Sequence, residues 1–160
     1  MRLHETGSYV HDDDPGEPST GNPRLSVTDA EATILMGLVA GKTVLEIGTG
    51  LGVSTRAMAE TATTVHTFDI DPWVREVIWP DLPKNVVTHR TSLSMPRCQV
   101  AFIDGDHTAE ATDRDLIVAY AKASELIIVH DALHPMVADV LGDSWDVIET
   151  EHGLAVKRLK

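Results

Sequence analysis

Three groups of residues have types and spacings that could do chemistry. The first is Gly48-Thr-Gly50-Leu-Gly52, with Glu46 two residues before it. Glycines at alternate positions let the backbone approach a ligand closely and leave amide donors beside a following helix, which suits a nucleotide-like ligand. The dinucleotide fingerprint needs a further glycine three residues after Gly50, and that position is Val53. The second group is Phe68-Asp69-Ile70-Asp71-Pro72. A carboxylate at the end of a strand can accept hydrogen bonds from ribose hydroxyls, and Asp69 suits that place. Asp71, just before Pro72, reads as a helix cap. The third group is Asp104-Gly-Asp-His107 together with His130-Asp131, acids and imidazoles able to move a proton or hold a metal.

These groups meet only if the elements carrying them align. Strand patterns at 43–47, 64–70, 86–91, 99–103 and 126–129 alternate with helical patterns at 53–60, 72–78, 109–123 and 135–141. Alternation of this kind predicts a doubly wound α/β domain with a parallel sheet. In such a sheet the strand ends open on one crevice, so Asp69, Asp104, His107, His130 and Asp131 should gather there. Thr28 and Glu31 have capping-box spacing, and Ile34, Leu35, Leu38 and Val39 then form one helical stripe that stops at Gly41. Near the C-terminus, runs 145–151 and 154–159 flank His152-Gly153 and predict an antiparallel hairpin with a two-residue connection. His66 reads as structural, and His134 and His152 read as surface residues.

The 160 residues, 42% hydrophobic and 24% charged, suit one globular domain. A chain of this length can bury roughly 70% of its unfolded surface and needs no staples. The single cysteine, Cys98, cannot form an internal disulfide, which points to a reducing, cytoplasmic setting. With 13 Lys plus Arg against 25 Asp plus Glu, the net charge of -12 repels phosphate backbones, so nucleic acid is not an expected partner. No apolar run reaches the roughly 18 residues of a membrane span, and no membrane partner is expected. Residues 1–26 carry three of the 8 prolines and the acidic run Asp12 to Asp14, and read as a flexible tail or a lid preceding a domain at 27–160. A second copy of the chain, in a homodimer, is the other candidate wall for the crevice.

The spacing Glu46-x-Gly48-x-Gly50-x-Gly52 resembles the first motif of class I S-adenosylmethionine-dependent methyltransferases. Phe102-Ile-Asp104-Gly-Asp-His107, Asp115-Leu116 and Ile127-Ile-Val-His130-Asp131 together resemble small O-methyltransferases, both the catechol and caffeoyl-coenzyme-A kind and the sugar-modifying kind. The resemblance covers about residues 28–160. It implies a Rossmann-like sheet of seven strands, with S-adenosyl-L-methionine held by Glu46, Gly48, Gly50, Gly52, Asp69, Thr91, Ser92 and Asp104. Thr91 and Ser92 would lie against the adenine. His107, Asp104 and Asp131 would be catalytic, with His107 matching a general base of the sugar-modifying relatives. A divalent metal, magnesium or manganese, would sit on Asp104, His130 and Asp131, although imidazole at His130 suits zinc, iron or nickel better than magnesium. Neither the Asn/Asp-Pro-Pro-aromatic segment of amino-methylating relatives nor the lysine-centred tetrad of ribose-methylating ones is present. The implied activity is methyl transfer to a hydroxyl of a small-molecule acceptor. An inactive cofactor-binding protein, or another nucleotide-cofactor enzyme on the same sheet, is the alternative.

Overall fold

A computed structural model describes residues 26–160, together with the backbone of Arg2–Leu3 and Tyr9–Val10, which pair as a short antiparallel ribbon. The tail-or-lid expectation for residues 1–26 otherwise lies outside the described residues.

Helix α1 (Asp29–Val39) opens on the expected capping box: the Thr28 hydroxyl accepts from the Glu31 amide, and the Glu31 carboxylate accepts from the Thr28 amide at 2.8 Å. Strand β1 (Thr43–Ile47) follows, then α2 (Val53–Thr61), β2 (Thr64–Phe68), β3 (Val86–His89) and β4 (Cys98–Ile103). After β4 come α3 (Ala109–Lys122), β5 (Ala123–Val129), α4 (Pro135–Leu141), β6 (Asp146–Ile148) and β7 (Leu154–Arg158). The seven strands lie in the order β3-β2-β1-β4-β5-β7-β6. β1 to β5 are parallel, while β7 runs antiparallel to both β5 and β6.

The central strands are apolar on both faces, as a sheet covered on both sides requires. Val44, Val100, Phe102, Ile128 and Val156 point to one face, against Leu35, Val39 and Met58 of α1 and α2. Leu45, Ala101, Ile103, Ile127 and Val129 point to the other, against Leu116 and Ala119 of α3 and Val137 and Leu141 of α4. The strand order reverses between β1 and β4, which places a crevice at their carboxyl ends.

Two local expectations need correction. Pairing of Ile148 with Leu154 leaves residues 149–153 as the hairpin loop, so the connection is longer than His152-Gly153. The helix expected at 72–78 is largely a π-turn over Val74–Ile78 that tightens into a 3₁₀ turn at Trp79–Asp81. The π-turn brings the Arg75 guanidinium onto the Asp69 carbonyl, at 2.9 Å from Nε and 2.7 Å from Nη2.

Candidate active site

The glycine loop leaves β1 with Gly48, Gly50 and Gly52 all at positive φ. Each has its own surroundings. A Cβ on Gly48 would lie 2.0 Å from the Asp104 carbonyl oxygen, so the loop packs directly on the end of β4. A Cβ on Gly52 would meet Ile78 and Leu82 at 3.1 and 3.2 Å. A Cβ on Gly50 would meet nothing within 4 Å, which leaves open space on that side where a ligand could approach the backbone.

Asp69 is tied to this loop. Its Oδ2 accepts from the amides of Thr49 at 3.0 Å and Gly50 at 2.9 Å, and its Oδ1 accepts from the Asp71 amide at 2.8 Å. A carboxylate offers about four acceptor positions, so Asp69 retains room for one further donor. That corrects the expectation that it is free for both ribose hydroxyls, and it takes away two of the amide donors expected of the loop. Asp71 Oδ1 accepts from the Trp73 amide at 2.8 Å, as a cap does. Glu46 is fully buried, and its two oxygens accept from Ser54 Oγ at 2.7 Å and Thr55 Oγ1 at 2.6 Å. It straps β1 to α2, and in this structure the side chain has no exposed surface to offer a ligand. Burial, opposed by those hydroxyls, pushes its pKa up to about 7. Thr91 caps a 3₁₀ turn at Ser92–Ser94, with its hydroxyl accepting from the Leu93 amide and its own O–H left to donate, so both the Thr91 and Ser92 hydroxyls could serve adenine.

At the ends of β4 and β5 the acids and histidines do converge. His130 is buried, with Nδ1 donating to Asp104 Oδ1 at 3.0 Å and lying 2.9 Å from Asp131 Oδ2. Its Nε2 faces Glu31 Oε2 at 3.3 Å. His107 Nε2 lies 2.8 Å from Asp131 Oδ2, too bent for a hydrogen bond, so both atoms are buried without a properly aligned partner. Asp131 has φ 54°, the only non-glycine residue with positive φ among the described residues. Backbone held in that region marks a position fixed by its surroundings.

Charge follows contact here. Burial would lower the His130 pKa, but the hydrogen bond to Asp104 and the close negative charges of Asp104 and Asp131 raise it to about 11. Burial likewise opposes Asp131, yet His107 and His130 hold its carboxyl well below the usual range. His107 is raised above its ordinary value, Asp131 outweighing desolvation. Glu31, despite burial, is held low by the Thr28 amide, the Thr150 hydroxyl and the amide and ring of His152.

Glu31 is the residue of this cluster that spacing alone assigns only to a helix cap. Its Oε1 accepts from Thr150 Oγ1 at 2.7 Å and from the His152 amide at 3.1 Å, and its Oε2 also meets His152 Nδ1 at 3.2 Å. His152 is therefore half-buried in the cluster, not a surface residue. His134 is exposed as expected, with its ring 5.6 Å from that of His107. His66 bridges to His89, Nδ1 to Nε2, at 3.0 Å.

The implied metal ligands Asp104, His130 and Asp131 do not fit an ion. Ligation needs a nitrogen lone pair aimed at the metal, and both His130 nitrogens are instead directed at carboxylates. The donor atoms of Asp104, His107 and Asp131 lie within 4.8 Å of one another, as do those of Glu31, His130 and His152. The latter set is consumed by its own hydrogen bonds.

These shifts set the pH dependence of stability. Glu31 and Asp131, lowered from 4.5 and 3.8, stabilise the fold above those values and lose the contribution as pH falls. Glu46 at about 7, Asp115 at about 6 and His130 at about 11 are raised from 4.5, 3.8 and 6.5, so each contribution is lost as pH rises through its window. The melting temperature should peak at about pH 4–5 and fall by more than about 10 °C by pH 8. Differential scanning fluorimetry across that range checks it; a maximum at neutral pH would contradict these assignments.

No protein-family model and no curated protein matches the chain. Several solved structures do. An O-methyltransferase from Bacillus cereus, in complex with SAH, superposes with TM-score 0.68 at 17% identity over 86% of this chain and 84% of that one. The O-methyltransferase TomG from Streptomyces achromogenes, in complex with SAM, gives TM-score 0.64 at 16% identity over 84% of this chain and 81% of that one. The tRNA (m1A58) methyltransferase TrmI from Aquifex aeolicus gives 0.68 at 17% identity, over 89% and 74%. Among the described residues no helix is long and apolar enough to cross a membrane. A seven-stranded sheet in this order, with its glycine loop on the end of β1, is the Rossmann-like fold that these S-adenosylmethionine-dependent methyltransferases share with this chain.

Proposed function

We propose that the protein transfers a methyl group from S-adenosylmethionine to a hydroxyl of a small-molecule acceptor. The observation that supports this reading is contiguity: the glycine loop at Gly48 packs on the Asp104 backbone, and Asp104 and the His107–Asp131 pair are both bound up with the His130 cluster at the neighbouring strand ends. The co-substrate supplies an electrophilic methyl on a sulfonium. Gly50 would admit its methionine portion to the loop, and the remaining acceptor capacity of Asp69 would take one ribose hydroxyl. The Ser92 hydroxyl would lie near the base.

His107 would accept the acceptor's hydroxyl proton at a ring nitrogen, with Asp131 holding the resulting positive charge. The oxygen then attacks the methyl carbon in line, the carbon–sulfur bond breaks, and its electron pair stays on sulfur to give S-adenosylhomocysteine. A small hydroxylated acceptor is favoured over nucleic acid by the net charge of -12. Absence of an Asn/Asp-Pro-Pro-aromatic segment after β4 disfavours amine acceptors.

Isothermal titration with S-adenosylhomocysteine, with NAD as control, tests the cofactor. Gly50→Val places a branched side chain in the open space and should cut S-adenosylhomocysteine affinity at least about tenfold in a folded protein. Unchanged affinity would remove the glycine loop from the binding site. Asp69→Ala should lose on the order of ten- to a hundredfold, through the lost ribose contact and a loosened loop. Asp71→Ala, which removes only a cap, should lose less; the reverse order would mean that Asp71 is the ribose carboxylate.

A further inference from the structure

We propose that the His130 ring, clasped by Asp104, Asp131 and Glu31, stands in this cleft where a divalent ion would otherwise balance the carboxylates, and makes the cluster a metal-independent cation site. The argument begins with hydrogen-bond capacity. A neutral imidazole has one N–H and one lone pair. His130 has carboxylate oxygens at both ends, Asp104 Oδ1 at 3.0 Å from Nδ1 and Glu31 Oε2 at 3.3 Å from Nε2. A single proton would leave a lone pair directed at a buried carboxylate, so both nitrogens donate and the ring is a cation. Asp131 Oδ2, 2.9 Å from Nδ1, adds a third carboxylate to the same ring.

The ring is also fixed in place. Its side chain is 0% exposed, as is that of Glu31. Glu31 is itself tied to Thr28, Thr150 and His152, so the ring cannot swing away to release a lone pair without opening the cap of α1 and the loop before β7. A divalent ion between Asp104 and Asp131 would have to displace a cation that three carboxylates hold. His130 thereby offsets the mutual repulsion of Asp104 and Asp131 and leaves His107 as the imidazole at the mouth of the cleft. The inference concerns the cluster and not the acceptor, and its test reads metal binding, so its failure is separable from failure of S-adenosylhomocysteine to bind.

The test is a manganese titration of the purified protein, read by electron paramagnetic resonance of bound Mn²⁺ and by thermal shift with Mn²⁺ against EDTA. Wild type should show no Mn²⁺ binding at sub-millimolar concentrations and the same melting temperature in both conditions. His130→Asp removes the resident cation and supplies an oxygen ligand. It should be destabilised in EDTA, and Mn²⁺ should bind it at least about tenfold more tightly than wild type and raise its melting temperature. Micromolar Mn²⁺ binding by wild type would overturn the inference, and its loss in His107→Ala would place the ion on Asp104, His107 and Asp131. Should His130→Asp fail to fold, the wild-type titration still decides. A folded His130→Asp with no gain in Mn²⁺ affinity would equally overturn it.

Discussion

Gly48→Ala should cost about 3 kcal/mol or more, read as a fall in melting temperature on the order of 10 °C, with S-adenosylhomocysteine binding lost alongside. The added methyl would sit 2.0 Å from the Asp104 carbonyl oxygen and 2.6 Å from its carbon, both backbone atoms. Neither can move alone. The Asp104 amide donates to the Ile47 carbonyl at 2.9 Å, and the Gly48 amide donates to the Phe68 carbonyl at 2.9 Å, so three strand ends would have to shift together. Strain at φ 96° adds to the clash. Gly50→Ala is the control, since its methyl meets nothing within 4 Å and the cost is the left-handed backbone alone, about 1 kcal/mol. Thermal denaturation of the two variants compares them directly. Equal losses would mean that left-handed backbone, and not the contact with β4, is what Gly48 supplies.

That contrast between neighbouring glycines shows what the sequence makes legible. The loop's existence followed from three glycines at alternate positions after an apolar strand, and β1, α2 and α4 fell where periodicity placed them. Convergence of Asp104, His107, His130 and Asp131 followed from strand ends in a parallel sheet. What each side chain does there was not legible, because it depends on partners distant in the chain. Asp69 reads as a free ribose acceptor until its oxygens are seen to hold amides of the glycine loop 19 and 20 residues earlier. Glu46 reads from spacing as a ligand contact, and the sequence does not reveal that α2 folds back so that its hydroxyls donate to both oxygens of this buried side chain. His130 reads as an odd metal ligand because the carboxylate that captures its second nitrogen is 99 residues away. The hairpin connection was misjudged for a related reason: the apolar pattern of 145–151 does not reveal that pairing stops at Ile148, where the chain turns aside to bring Thr150 and His152 to Glu31.

Glu31→Ala should therefore destabilise the protein far more than loss of a helix cap, which alone costs about 1 kcal/mol. The carboxylate accepts from the Thr28 amide and hydroxyl, the Thr150 hydroxyl, the His152 amide and ring, and His130 Nε2. Removing it leaves a buried ring cation short of one carboxylate and several donors unpaired, and breaking a buried ion pair from one side costs about 3–5 kcal/mol. A fall in melting temperature on the order of 10–15 °C is expected at pH 7. Glu31→Gln separates charge from shape. Whichever way the amide is oriented, at least two of these donors face an NH₂ in place of an oxygen, because Oε1 serves two donors and Oε2 serves the rest. Its loss should be intermediate, and larger than that of Thr28→Ala, which removes the cap and keeps the carboxylate. The three variants compared by thermal denaturation decide the matter. If Glu31→Ala loses no more than Thr28→Ala, Glu31 is a helix cap and nothing else, and the tie from α1 through His130 to Asp104 and Asp131 carries no stability.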